Sequence, residues 1–284
     1  MNDTPNDLPE ISLARRGFMM TALISGLTLA TTRVEAQAIH TDSVGLVAGE
    51  VKIPTEDGQL PGYFARPQGN GPFPIILVVE EIFGVHEYIK DVCRRFAKLG
   101  YAAVAPELYA RVGDLSKMTD AAQIMSQVIS KAPDAKLMSD LDSAAAFAAA
   151  NHGDLNRLGV NGFCRGGRAV WLYATHNPRL KAAVAWYGQV AGRTSPIQPK
   201  NPIDVADQLK CPLLGLYGGQ DGSISQTDVQ AAAHKARAAD ETVEIIVYPD
   251  AGHGFHADYR PSYNAKDAAD GWKRAQAWFK KYGV

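Results

Sequence analysis

The chain has 284 residues, enough for one or two domains with a full hydrophobic core, and 46% of them are hydrophobic. The formal net charge is -1 at pH 7, and charges of both signs are interleaved, which excludes the basic field typical of nucleic-acid-binding proteins. The 3 cysteines are too few for a disulfide framework, and their spacing fits no zinc site.

Residues 1–38 have the pattern of an export signal. Arg15 and Arg16 precede a short apolar run, and small-residue cleavage patterns follow around Ala36. Paired arginines in this position resemble a twin-arginine signal, the export route for folded proteins. The apolar run is too short and too interrupted by glycine to favour a membrane-spanning helix. We expect a periplasmic protein that meets the membrane only during export, with one domain at 39–284. An amphipathic or disordered leader is the alternative.

Strands and helices alternate through the rest of the chain. Val44–Ile53 and Leu60–Arg66, joined by turn residues, predict an antiparallel hairpin, and the apolar run Pro74–Val79 predicts a buried strand. The further strands are predicted at Tyr101–Ala105, Arg157–Phe163, Leu180–Tyr187, Pro212–Tyr217 and Thr242–Tyr248. The helices are predicted at Tyr88–Leu99, partly within 112–135, and at Leu137–Ala150, Arg168–His176, Asp228–Ala239 and Asn264–Tyr282. A loop or lid is predicted at Gly188–Asp207. This order predicts an α/β fold with a mainly parallel sheet, an antiparallel start and helices on both faces.

A G-x-nucleophile-x-G pattern lies at 162–166, with Cys164 where serine is more common. The pattern predicts a tight strand-to-helix turn that lifts the nucleophile to the end of the sheet. A side chain at Gly162 or Gly166 would crowd the neighbouring strand and helix. The N-terminus of the following helix favours an anion at this point. The alternative is that Cys164 is an ordinary loop cysteine between two glycines. Whether it is a nucleophile therefore depends on which residues lie near its sulfur.

Three more reactive residues, Glu81, Asp221 and His253, also follow predicted strands. The carboxyl ends of parallel strands share one edge of a sheet, where ligands bind. The order Cys164, Asp221, His253 is the chain order of the α/β-hydrolase triad. In such a triad the base takes the proton of the nucleophile, the acid orients the base, and N–H donors stabilise the oxyanion. A sulfur beside an imidazolium and a helix N-terminus can react as the thiolate near neutral pH.

Alternatives stay open at each of these positions. His256 could be the base, Asp250 or Asp258 the acid, and Glu80 could stand in for Glu81. His86, His152, His176 and His234 are predicted to be surface or cap residues.

The function also has an alternative, which is a redox-sensing or non-catalytic exported protein with Cys164 as a sensor thiol. A sensor needs neither an acid nor a histidine, so the hydrolase is favoured. Cys93 and Cys211 are predicted to be core residues, with a disulfide between them left open. Neither an H-x-H nor an H-E-x-x-H pattern occurs, so we expect no metal and no cofactor.

Over residues 45–284 the chain resembles the dienelactone hydrolase (carboxymethylenebutenolidase) family. The matching segments are Glu80–Val85, Pro106–Arg111, Gly162–Gly167, Tyr217–Asp221 and Ala251–Phe255. The resemblance implies an α/β-hydrolase fold and a Cys-His-Asp triad that hydrolyses a lactone or a related small ester through an acyl-cysteine. We expect a monomer.

The resemblance also implies roles for single residues. It places the oxyanion hole at the backbone N–H groups of Ile82 and Arg165. It places Glu81 near the thiol, and a carboxylate there would disfavour the thiolate. We therefore expect a neutral resting thiol that is alkylated slowly. Arg111 matches a family arginine that binds the carboxylate of the substrate.

Other features bear on the substrate. The aromatic residues Tyr109 and Trp186 lie near strand ends and are predicted to line the pocket, although core packing explains them equally well. The family has an arginine four residues after the histidine, where this chain has Ala257; His256 or Arg260 could take its place. Arg165 also stands where the family usually has an apolar residue. These departures leave the substrate open.

Overall fold

The computed structural model describes residues 39–284, and the predicted leader at 1–38 lies outside them. Eight strands form one mixed sheet in the order β1-β2-β4-β3-β5-β6-β7-β8. They are β1 Leu46–Thr55, β2 Gly58–Pro67, β3 Phe73–Val79, β4 Ala102–Pro106, β5 Gly153–Phe163, β6 Leu180–Trp186, β7 Leu213–Gly218 and β8 Val243–Tyr248. Strand β2 pairs antiparallel with β1 and β4, and every other pairing in this sheet is parallel. The antiparallel start and the parallel remainder confirm the predicted fold class.

Seven helices accompany the sheet in the described part of the chain. They are α1 Glu87–Lys98, α2 Ala121–Gln127, α3 Asp134–Ala150, α4 Arg165–His176, α5 Pro202–Val205, α6 Gln226–Ala238 and α7 Ala265–Lys281. The predicted apolar face of α1 is buried, and its Phe96 packs on Trp272 and Phe279 of α7, with ring centroids 4.6 and 6.0 Å apart. Burial of such aromatic surface drives the packing of amphipathic helices. No helix in the described range is long and apolar enough to cross a bilayer.

The elements differ from the predictions mainly at their ends. Strand β5 begins at Gly153 rather than at Arg157, because Gly153 pairs with Phe73 ahead of a register shift after Pro74. The segment 112–135 contains α2 and two short 3-10 helices, and the predicted loop after β6 contains α5. Both segments are polar and interrupted, so their short helices leave little periodic signal in the sequence.

The segment 39–45 forms no regular element, yet it is attached to α1. Arg94 donates to the carbonyl of Thr41 at 2.6 Å, and Lys98 donates to Asp42 at 2.7 Å. Sequence reasoning did not anticipate these contacts, since a short segment without regular structure shows no periodicity.

Cys93 and Cys211 are buried and both are free, so the disulfide left open by the sequence is not formed. Burial raises the pKa of the Cys211 thiol to about 12 and that of the Cys93 thiol further still. Their burial agrees with the predicted core positions. A thiol in apolar surroundings is held in its inert, protonated form.

Candidate active site

Cys164 occupies the turn between β5, which ends at Phe163, and α4, which begins at Arg165. Its backbone has φ 53° and ψ -113°, a region that a residue with a side chain rarely adopts. Two hydrogen bonds hold this conformation: the Cys164 N–H donates to Trp186 O at 3.0 Å, and the Arg168 N–H donates to Cys164 O at 3.1 Å. The strained turn presents a partly exposed sulfur at the carboxyl end of β5, as the pattern predicted.

The glycines on either side of Cys164 are required by close packing. A Cβ on Gly162 would lie 2.6 Å from the carbonyl oxygen of Gly166, in the first turn of α4. A Cβ on Gly166 would lie 2.4 Å from the carbonyl oxygens of both Val79 and Glu80, at the end of β3. The predicted crowding of strand and helix is therefore confirmed, and α4 begins directly against the loop after β3.

An acid and a base are paired beside this turn. Asp221 follows β7 and His253 follows β8, and Nδ1 of His253 lies 2.7 Å from Oδ2 of Asp221. The other oxygen of Asp221 accepts hydrogen bonds from Ser223, from the backbone N–H at 2.9 Å and from the hydroxyl at 2.6 Å. Both oxygens of the carboxylate are thus held, which fixes the direction in which it meets the imidazole.

The charges around His253 favour its protonated form. Burial lowers the pKa of the imidazole, but the charge of Cys164 and the interaction with Asp221 outweigh burial and raise it to about 10. Burial raises the pKa of Asp221, and its contacts with His253 and Ser223 reverse this and lower it overall. Because Nδ1 is bound to Asp221, Nε2 is the nitrogen left for the sulfur. In general, an imidazolium beside a sulfur favours the thiolate over the thiol.

The alternative base, His256, and the alternative acid Asp258 are bound to other side chains. His256 is buried, its Nδ1 lies 2.6 Å from the hydroxyl of Tyr88, and its ring centroid is 4.4 Å from that of Trp186. Burial lowers the pKa of His256 to about 3, so this imidazole is neutral. Such a weak base is poorly suited to take the proton of a thiol, and a neutral ring does not supply a cation in place of the missing arginine. Asp258 is bound to Arg95 at 2.6 Å.

The two glutamates after β3 have different surroundings. Glu80 is buried and accepts from the Leu108 N–H at 2.7 Å; burial, aided by the charge of Glu107, raises its pKa well above the usual range. Glu81 is buried as well, with Oε1 3.0 Å from Nη2 of Arg260 and the other oxygen accepting from the Tyr259 hydroxyl. Glu80 is the neutral member of the pair and Glu81 is the ion-paired one.

This ion pair corrects the electrostatic argument made for Glu81 from the sequence. The positive charge of Arg260 compensates Glu81, and Glu81 forms no hydrogen bond with Cys164 among the described contacts. A compensated carboxylate does little to disfavour a thiolate. Arg260 itself is buried and interacts with the charge of Cys164. Glu81 therefore gives less support to a slowly alkylated thiol than its place in the sequence suggested, and slow alkylation of Cys164 stays a prediction.

The two backbone amides expected to form the oxyanion hole belong to two segments that approach each other at the Cys164 turn, the end of β3 and the start of α4. Ile82 follows the end of β3, and Arg165 is the first residue of α4, where N–H groups have no acceptor within the helix. Within residues 39–284 neither N–H donates a hydrogen bond. The close approach of Gly166 to the end of β3 brings the two segments together. Both N–H groups are thus without an acceptor among the described residues, and their role as an oxyanion hole stays a prediction.

The residues predicted to contact the substrate are either bound to other side chains or buried. Nη1 of Arg111 lies 2.6 Å from Asp140 and Nη2 lies 2.8 Å from Asp57, so two carboxylates already occupy this guanidinium. Trp186 is fully buried and its indole N–H donates to Asn161 at 2.9 Å, which makes it a core residue rather than a pocket wall. Tyr109 is also fully buried, and it lies beside the side chain of Arg165.

Sequence reasoning missed three residues around the triad. Ser223 binds Asp221 and Tyr259 binds Glu81, while His86, predicted as a surface or cap residue, is the N-cap residue of α1 and has its Nε2 3.9 Å from Glu81. Burial lowers the pKa of His86 to about 4, so it is neutral. Only Ser223 had a sequence signal, because a serine two residues after an aspartate is typical of a turn closed by the carboxylate.

The site geometry agrees with what the chain as a whole is similar to. Residues 60–283 match the model of the dienelactone hydrolase family. The chain belongs to the dienelactone hydrolase family. It is accordingly a hydrolase of the lactone and ester type, acting on carboxylic esters.

Individual relatives agree with this family. A Methylorubrum extorquens protein provisionally named carboxymethylenebutenolidase is 58% identical over 277 residues, covering 97% of this chain and 95% of that protein. One of the same name from Escherichia coli is 51% identical, covering 93% and 98%. The crystal structure of a Klebsiella pneumoniae protein, provisionally described as a dienelactone hydrolase, superposes with a TM-score of 0.82 at 52% identity, covering 84% of this chain and 99% of that one.

Proposed function

We propose that this dienelactone hydrolase family member cleaves lactones or small carboxylic esters with a Cys164-His253-Asp221 triad through an acyl-cysteine intermediate. The observation that carries the proposal is the 2.7 Å contact between His253 Nδ1 and Asp221 Oδ2, made beside the Cys164 turn. This contact occupies Nδ1, leaves Nε2 as the ring nitrogen available to the sulfur, and supplies the negative charge that an imidazolium requires.

Acylation uses the proton that His253 already holds. The thiolate of Cys164 attacks the carbonyl carbon, a C–S bond forms, and the carbonyl electron pair moves onto oxygen. The N–H groups of Ile82 and Arg165 donate to this oxyanion. The C–O bond to the alcohol then breaks, and the departing alkoxide takes the proton from Nε2 of His253. In a lactone the alcohol stays tethered to the acyl group.

Deacylation reverses the role of His253. The neutral imidazole accepts a proton from water, and the hydroxide attacks the carbonyl carbon of the thioester. The C–S bond breaks and the sulfur leaves as the thiolate. The proton from water stays on His253, so the thiolate-imidazolium pair is restored, and the new carboxylic acid loses its proton to solvent. Asp221 keeps the imidazole in one orientation through both steps.

Pre-steady-state kinetics test this proposal. With excess 4-nitrophenyl acetate, the wild type should release a burst of 4-nitrophenol close to one equivalent per enzyme, because acylation by an activated ester precedes slower hydrolysis. Cys164→Ala should show neither burst nor turnover, and His253→Gln should lose most of both. A Cys93→Ala variant is the matched control, since this buried thiol lies outside the site. A burst that survives in Cys164→Ala would overturn the proposal.

We also propose that the protein acts in the periplasm after export by a twin-arginine route, on the basis of Arg15, Arg16 and the cleavage patterns that follow. Cell fractionation tests this. The wild-type precursor should yield mature protein in the periplasmic fraction, whereas Arg15→Lys/Arg16→Lys should keep it in the cytoplasm. Equal export of both would count against the twin-arginine route.

A further inference from the structure

Two loops at the carboxyl edge of the sheet are joined to each other by glutamate side chains. The first loop follows β3 and starts at Glu80, and the second follows β4 and starts at Glu107. Glu80 accepts a hydrogen bond from the Leu108 N–H of the second loop at 2.7 Å. In return, Glu107 accepts one from the Val85 N–H of the first loop at 3.1 Å. These two reciprocal contacts, Glu80–Leu108 and Glu107–Val85, are called the glutamate latch below.

The first loop depends on side chains for its position. In the described chain, no backbone group of residues 82–85 forms a hydrogen bond with another backbone group. The second loop, in contrast, is attached to the sheet, because the Glu107 N–H donates to the carbonyl of Pro61 on β2 at 2.9 Å. The carbonyl of Glu107 also accepts from the Ala110 N–H at 3.1 Å. The Glu107 side chain therefore extends from a fixed backbone position and supplies the acceptor that the first loop lacks.

The backbone of the first loop turns closely around the carboxyl group of Glu107. Gly84 has φ 82°, in the left-handed region that favours glycine. A Cβ at this position would lie 3.2 Å from Oε2 of Glu107, while Oε1 of the same group accepts from the Val85 N–H. Both oxygens of Glu107 thus lie against the loop, and they fix the path of the chain between Gly84 and Val85.

The proposed acyl transfer assigns no role to either carboxyl group. Glu80 is fully buried, and Glu107 is partly buried. Burial raises the pKa of both groups, and that of Glu80 well above its usual range. Burying a carboxyl group is unfavourable unless its hydrogen bonds compensate, so two such groups at adjacent strand ends call for a reason. Between the two latch contacts along the first loop lies Ile82, whose N–H is one of the predicted oxyanion donors.

We propose that Glu107, together with Glu80, is a positioning residue for the oxyanion hole. The glutamate latch holds the first loop so that the Ile82 N–H stays where a developing oxyanion requires it. This assignment rests on the proposed function at Cys164, because it presumes acyl transfer. Loss of a complete oxyanion donor lowers kcat about 10²-fold to 10³-fold. Release of the loop displaces the donor without removing it, so a smaller loss of about tenfold to a hundredfold is expected.

Two substitutions of Glu107 separate the reach of its side chain from its charge. Glu107→Asp keeps a carboxyl group but withdraws it from the Val85 N–H, whereas Glu107→Gln keeps an acceptor oxygen at the same reach. With saturating 4-nitrophenyl acetate, the burst rate should fall about tenfold to a hundredfold in Glu107→Asp, with KM little changed, because the oxyanion contact is made only in the transition state. Glu107→Gln should retain most of the burst rate. Glu80→Asp and Glu80→Gln should follow the same order.

Alkylation of Cys164 by iodoacetamide distinguishes a displaced oxyanion donor from a disturbed nucleophile. In this reaction the sulfur displaces iodide from a saturated carbon, and no oxyanion forms. Alkylation of the peptide that contains Cys164 should therefore proceed at the wild-type rate in all four variants. Glu56→Asp is the matched control, because Glu56 is exposed in the turn between β1 and β2. It should change neither rate.

Three results would each overturn the glutamate latch. They are an unchanged burst rate in Glu107→Asp, an equal fall in burst and alkylation rates, and equal losses in Glu107→Asp and Glu107→Gln. A wild-type burst that requires Cys164 would leave the triad proposal standing in all three cases. Absence of that burst would instead count against the triad proposal itself.

Discussion

His253 Nδ1 and Asp221 Oδ2 lie 2.7 Å apart although 32 positions separate the two residues along the chain. The contact forms because β7 and β8 are neighbouring parallel strands, so the loops after them leave the sheet side by side. It holds the ring of His253 through Nδ1 and leaves the second ring nitrogen without a partner among the described contacts. The proposed chemistry depends on this relationship.

Loss of the Asp221 charge should impair catalysis without unfolding the protein. In Asp221→Asn the amide can no longer stabilise the imidazolium, and its NH2 group favours the wrong tautomer. We expect kcat/KM for a neutral ester to fall about 10³-fold to 10⁴-fold. Asp250→Asn, at an exposed position three residues before the histidine, is the control and should retain activity. A decrease of less than tenfold in Asp221→Asn would argue for another acid.

The pH dependence should reflect the raised pKa of His253. The imidazolium supplies the proton to the leaving alkoxide, and with a pKa of about 10 it stays protonated well above neutrality. Activity should therefore persist through pH 8 and 9 and decline on the alkaline side only as the pH passes about 10. Because Asp221 helps to raise this pKa, the alkaline limb in Asp221→Asn should move to lower pH. Profiles of kcat/KM against pH for both proteins, corrected for spontaneous hydrolysis, measure this. An alkaline limb near pH 7 in the wild type would contradict the assignment.

The buried Glu81–Arg260 pair should matter for stability. Arg260→Met leaves a fully buried carboxylate without its cation, and such a loss typically costs about 3–5 kcal/mol. Glu81→Gln/Arg260→Met removes both charges and should lose less than the two single variants together. Urea unfolding of the four proteins measures the coupling. Additive effects of the two substitutions would show that the pair does not act as a unit.

The turn at Cys164 should not tolerate a larger residue at Gly166. An added methyl group would lie 2.4 Å from two backbone oxygens at the end of β3, which cannot move without displacing the strand. We expect Gly166→Ala to lose about 3 kcal/mol or more of unfolding free energy, or to accumulate unfolded. Gly49→Ala is the control, because a methyl group there meets no atom within 4 Å. Thermal unfolding that is equal in the two variants would contradict the packing argument.

The sequence was informative where function depends on position relative to a strand end. Cys164, Asp221 and His253 each follow a parallel strand, and parallel topology places such residues at one edge whatever the details of packing. The acid-base pair could therefore be anticipated from chain order alone. Helix and strand ends were predicted to within a few residues for a different reason. Hydrophobic periodicity is a local signal, so it can be read from each segment by itself.

What the sequence could not supply was the direction of side chains and their distant partners. Trp186 is the last residue of β6, where a pocket position was predicted, but its indole turns into the core towards Asn161. The Tyr259 hydroxyl reaches Glu81 across 178 positions, and neither residue carries a local sign of the other. The compensation of Glu81 by Arg260 likewise emerges only from tertiary packing, so the electrostatic role inferred for this carboxylate from sequence needed revision.

The covalent intermediate is the central claim, and peptide mass spectrometry of an acid-quenched reaction tests it most directly. During steady-state turnover of a 4-nitrophenyl ester, we predict that the acyl group is found on the peptide containing Cys164 and on neither Cys93 nor Cys211. The adduct should disappear together with turnover in Cys164→Ala. Full turnover without an acyl group on Cys164, or turnover that persists once its sulfur is removed, would contradict the account.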